Sequence, residues 1–133
     1  MKNKCLCEPA EILIFPCSGG SNVGRITSQA AMDLTNLKKG KMYCLAGIGG
    51  HVDCIIKSTK EAKMLVAIDG CPVQCAKKTL EHAGFRVDVQ VVVTKLGIKN
   101  MNDFMMDLDD IDEVVDRVTR EMQKRTGRIA TKP

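Results

Sequence analysis

Three short apolar runs, each leading to or containing a cysteine, constrain this chain more than any other feature of it. Ile12-Leu13-Ile14-Phe15 leads to Cys17, Met42 to Ala46 contains Cys44, and Met64 to Ile68 leads through Asp69-Gly70 to Cys71. Continuous apolar runs of this length are expected of strands buried on both faces. A Gly-containing turn and a stretch of helical apolar spacing follow each run. Strand–helix repetition of this kind predicts an α/β fold: a small three-layer domain with a mostly parallel sheet in Rossmann-like or flavodoxin-like order. Parallel strands share one carboxyl edge, so Cys17, Cys44, Cys71 and Cys75 are expected to collect there.

The remaining elements follow from caps and periodicity. A helix starts at Asn22, where Ser21 or Asn22 can cap it, and carries Val23, Ile26, Ala30, Leu34 and Leu37 on one face to an end at Gly40. Gly47 to Gly50 reads as a turn, and a helix from His51 buries Val52, Ile55 and Ile56. Pro72 suits the first helical position, where its missing N–H costs little. Val73, Ala76, Leu80 and Ala83 then face inward and Gly84 closes the helix. Residues 87–93 alternate valines with mostly polar residues, as in a half-exposed edge strand that could pair in a homodimer. The Met-rich stretch 95–106 is ambiguous. A last helix over 107–123 points Leu108, Ile111, Val115, Val118 and Met122 inward. Residues 1–10 read as a flexible leader, 11–123 as a single domain and 124–133 as a basic flexible tail.

Composition narrows the function. The net charge is +4, and Lys124, Arg125, Arg128 and Lys132 in the tail account for all of the excess. A basic footprint on the fold, and with it nucleic-acid binding, is not expected. With aromatics at 3%, stacking platforms for single strands are also missing. No apolar run is long enough to span a membrane, and Met1 to Ala10 lacks the apolar stretch of a signal peptide. The expected compartment is the cytoplasm, where thiols stay reduced, so seven cysteines point to metal or redox chemistry rather than a disulfide framework.

Four thiols at one sheet edge suggest a closed soft-metal site, most simply Zn²⁺ held by the thiolates of Cys17, Cys44, Cys71 and Cys75. If a helix begins at Pro72, Cys71 and Cys75 stand one turn apart. Helix N-termini at that edge would complement the negative charge of such a site. Asp69 can cap the next helix or act behind a ligand. His51 is an additional candidate ligand, although an exposed helix-start histidine is the plainer reading. Cys54 reads as packing. Cys5 and Cys7 could visit the metal as exchangeable ligands. The loop Ser18-Gly19-Gly20-Ser21-Asn22 before a helix is a candidate anion cradle, but Cys17 and Arg25 are not spaced as in cysteine phosphatases, and the glycines do not form a phosphate loop.

These motifs resemble the DGC-domain family of zinc-binding proteins, whose Asp-Gly-Cys signature matches Asp69-Gly70-Cys71. The likeness runs through Cys17-Ser18-Gly19, Asn22-Val23-Gly24, Cys44 and Ile68 to Lys77, and covers about residues 11–95. It implies a small cytoplasmic α/β protein with Cys17, Cys44, Cys71 and Cys75 as zinc ligands, and no reaction. A four-thiolate site leaves no open position, so a structural, sensing or metal-handling role is expected before hydrolysis. The alternatives are a redox or sulfur-transfer enzyme or carrier with an activated Cys71 or Cys17, and an iron–sulfur cluster.

Overall fold

The computed structural model describes residues 8–130, with side chains through residue 126. Its elements run β1 (Ile12–Pro16), α1 (Asn22–Asn36), β2 (Lys41–Met42), α2 (Leu45–Gly49), α3 (Asp53–Glu61), β3 (Met64–Asp69), α4 (Cys75–His82), β4 (Val89–Val92), a 3-10 segment (Val93–Leu96) and α5 (Leu108–Ala130). The four strands are all parallel, in the order β2-β1-β3-β4. This is the flavodoxin-like order, in which the chain reverses its direction of growth between β1 and β3.

Alternation along the strands builds the three layers. Ile14, Val66, Val91 and Val93 join α1 and α5 in one core. Leu13, Phe15, Leu65 and Ala67 join α2, α3 and α4 in the other. A strand with neighbours on both faces is expected to be nearly continuously apolar, and all of β3 is buried, with Asp69 at its end the one polar residue.

Several expected boundaries move, each for a physical reason. The second strand is cut to Lys41–Met42, and Cys44 becomes the residue before α2. The stretch expected as a Gly-rich turn is α2 itself. A β-carbon on Gly47 would lie 2.7 Å from the Ile55 side chain, so that glycine lets α2 pack closely on α3. The helix α1 stops at Leu37, and Lys38 rather than Gly40 takes the left-handed turn. His51 is also left-handed, α3 starts only at Asp53, and Val52 is exposed.

Pro72 and Val73 form a turn, not a helix start. Gln74 is left-handed at φ 61°, α4 begins at Cys75, and Val73 is 57% exposed. The fourth strand lies at the sheet edge but is not half-exposed. Asp88 accepts from Leu65 N at 2.8 Å and Gln90 donates to Asp69 at 3.1 Å, so its polar positions bond inward instead of meeting water. Helix α5 runs past residue 123 to Ala130. Arg125 pairs with Asp88 at 2.9 Å, which docks the start of the expected tail. Ile111, Val115, Val118 and Met122 are buried, whereas Leu108 is 76% exposed. Among the described residues, no helix is long and apolar enough to cross a membrane.

Candidate thiol site at the carboxyl edge of the sheet

The loops after β1, β2 and β3 meet at the carboxyl edge beside the reversal point, where this topology opens a crevice. Cys17 leaves β1 with its N–H bound to Ile68 O at 2.9 Å. Ser18 is left-handed at φ 53°, which turns the chain toward α1. The loop is held from within by Thr27, which is fully buried. Its hydroxyl donates to Gly24 O at 2.6 Å and accepts from Ser18 N at 3.1 Å. Cys17 Sγ lies 3.7 Å from the same oxygen. A hydroxyl has one proton, and that proton goes to Gly24 O, so in this contact the Cys17 thiol is the donor.

Arg25 donates to the Ser18 and Gly19 carbonyls, which ties its guanidinium to the loop backbone. Ser21 caps α1 by accepting from Gly24 N at 3.2 Å. One amide of the candidate anion cradle, Ser18 N, and the Gly24 N of the helix start behind it are thus already bonded to side chains. Asn22 turns away from the crevice to bind the 99–101 backbone.

The Asp-Gly-Cys turn is organised by Asp69, which is buried. Its carboxylate accepts from Ala76 N at 2.7 Å and Lys77 N at 3.2 Å, satisfying free N–H groups of the α4 N-terminus. Gly70 lies against α1: a β-carbon there would be 3.0 Å from Gly24 N. Thr94 N donates to Gly70 O at 3.2 Å, so the 3-10 segment backs the turn. Cys71 sits half-buried in this turn and Cys75 is the exposed first residue of α4. The left-handed Gln74 between them breaks the helical spacing expected from sequence.

Cys44 is exposed at the start of α2, where its carbonyl accepts from Gly47 N and Ile48 N. Buried Tyr43 anchors this loop edge-on against Phe15, with ring centroids 5.9 Å apart. A cleft of about 550 Å³ is lined by Cys17, Ser18, Tyr43, Cys44, Leu45 and Thr79, among others.

The structure therefore brings Cys17 and Cys44 to one cleft and places Cys71 on the adjoining β3–α4 loop and Cys75 at the start of α4. All four are free thiols. In kind and number they suit a thiolate metal such as zinc. They are not preassembled: among the described residues, no group of three or more His, Cys, Asp or Glu side chains is gathered to hold a metal. His51 stands outside, exposed, with its ring 6.2 Å from that of His82. Cys54 packs against the α2–α4 side of the core as expected, but it is disulfide-bonded rather than a free thiol. Cys5 and Cys7 lie outside the described residues. Sequence reasoning missed Thr27 and Gln74. A mid-helix threonine gives no signal of its tertiary partner, and a left-handed glutamine has none of the usual composition cues.

Fold and edge together define a flavodoxin-like α/β domain whose carboxyl edge carries four free cysteines. The chain belongs to the DGC-domain family, whose model matches residues 13–118. It is similar to the anaerobic and virulence modulator AnvM of Pseudomonas aeruginosa, at 30% identity over 87 residues. That alignment covers 65% of this chain and 66% of AnvM, so the chain spans just under two thirds of that curated relative. No solved structure matches the chain significantly.

Proposed function

We propose that this protein binds one zinc ion through Cys17, Cys44, Cys71 and Cys75, in a metal-handling, sensing or structural role. One observation carries the reading. All four free thiols of the described residues lie in the loops, or at the first helical residue, that follow three neighbouring parallel strands. Zinc is the borderline-soft ion that four such donors suit, and a four-thiolate site has no vacancy for hydrolysis. α4 begins at Cys75 and α1 begins behind the Cys17 loop, so the positive ends of two helix dipoles lie toward the edge where the net negative charge would sit. The donors stand on separate loops, so binding would draw the 71–75 turn toward the Cys17–Cys44 cleft.

Elemental analysis of anaerobically purified protein tests this, with a Cys71→Ser/Cys75→Ser variant beside the wild type. About one zinc per chain, lost in the variant, is expected of a four-ligand site. Wild-type protein with little metal of any kind would remove the proposal. Iron with visible absorbance would replace zinc by an iron–sulfur cluster.

A second reading is favoured by the thiols not being gathered. In it, Cys71 or Cys17 acts alone as a redox or sulfur-carrying thiol. The name of AnvM refers to anaerobic conditions, which suits either a metal or a thiol sensitive to oxidation. Fast alkylation of one cysteine in the protein as isolated would favour the single thiol. Slow alkylation of all four that speeds up only after chelation would favour the metal.

A further inference from the structure

The 99–110 segment forms a strap with an unusual surface. Phe104 is 61% exposed and Met105 79%, with Met101, Met106 and Leu108 exposed beside them. The start of the strap is tied to α1. Asn22, buried at the start of α1, donates through its side-chain amide to Lys99 O at 2.8 Å and accepts from Met101 N at 2.6 Å. Between this loop and the first turn of α5 lies an open groove of about 760 Å³, lined by Met101, Met105, Met106 and Leu108 with a rim of aspartates and one cation, Lys99. From Lys99 to Arg117 every charged residue between is acidic. None of these acids is in an ion pair among the described residues. Asp110 is held above the ordinary carboxyl range, first by burial and then by the charges of Asp107, Glu113 and Asp109.

We infer that this groove docks a cationic, amphipathic segment of a partner protein, with apolar anchors among the methionines and Lys or Arg against the aspartates. Adjacent exposed apolar side chains of this size mark interaction surfaces more often than isolated ones do. Flexible, polarizable methionines accept anchors of varied shape. The charge chooses the partner: unneutralised acids repel nucleic acid and anionic lipid alike and attract cationic polypeptide. The Asn22 clamp holds the groove ready, which lowers the ordering cost of docking.

The full-length protein is titrated with a short synthetic helix that has leucines on one face and lysines on the other. A glutamate/leucine helix of the same length serves as the control. The lysine peptide should bind saturably and more weakly at high salt, and the glutamate peptide should not bind. Met105→Ser/Met106→Ser and, separately, Asp107→Asn/Asp110→Asn should each weaken it about tenfold, the scale of losing one anchor. Met32→Ser on the exposed side of α1 should leave it unchanged. All of these positions are exposed or at the surface, and circular dichroism checks each variant. Three results would overturn the inference: equal binding of both peptides, no effect of either groove variant, or a wild-type dimer abolished by Met105→Ser/Met106→Ser, which would make the occupant a second copy.

Discussion

A β-carbon on Gly24 would lie 2.3 Å from the Gly19 carbonyl oxygen, and that contact is with backbone. Alanine is the better helix former by about 1 kcal/mol. Here the collision wins, because relieving it means opening the Cys17 loop away from α1, and overpacking of this kind costs about 1–3 kcal/mol. Gly24→Ala is therefore expected to lower the urea midpoint and to speed Cys17 alkylation; an unchanged midpoint would show that the loop relaxes freely. Asp69 presents a different case, because it serves as an acceptor and not as a spacer. Asp69→Asn keeps the size but loses charge-assisted bonds to two helix N–H groups and is expected to cost about 2–3 kcal/mol. The same denaturation experiment measures it, and faster labelling of Cys75 should accompany the loss.

Helix α5 shows how an element can read correctly at its core and wrongly at its ends. Ile111, Val115, Val118 and Met122 repeat at helical spacing and are buried, so the apolar stripe was visible in sequence. The continuation past residue 123 was not, and the contact that Arg125 makes there is with Asp88, a residue distant in sequence. Arg125→Ala should cost less than about 1 kcal/mol, as expected of a partly exposed pair. Asp88→Ala should cost more, because it also strands Leu65 N, and thermal melts of the two variants decide the order. At the other end of α5, folding raises the Asp110 carboxyl above its ordinary value of 3.8. Stability from that shift is present below the ordinary value and is lost as pH rises through the raised one. Asp110→Asn is thus expected to melt slightly above wild type at neutral pH, with the gap closing in acid; a gap independent of pH would rule this out.

For the molecule as a whole, the thiol edge joins loops from three strands, so a shared metal would tie both cores together. A ligand that binds only the folded state stabilises it by about 2.7 kcal/mol at a hundred times its dissociation constant. Zinc added to apo protein should raise the melting temperature, and Cys71→Ser/Cys75→Ser should abolish the rise; equal shifts in both proteins would place the metal elsewhere. By itself, the sequence determined the α/β class, the parallel strands and the position of Cys17, Cys44 and Cys71 after the ends of three of them, because burial on two faces and helical spacing are written in local periodicity. Only the tertiary structure decided the sheet order, the shortening of β2, the helical start at Cys75 and the inward bonds of Asp69, Thr27 and Asp88. Those features depend on which distant backbone groups are left needing a partner once the layers have packed, and a single residue's neighbours in sequence do not carry that information.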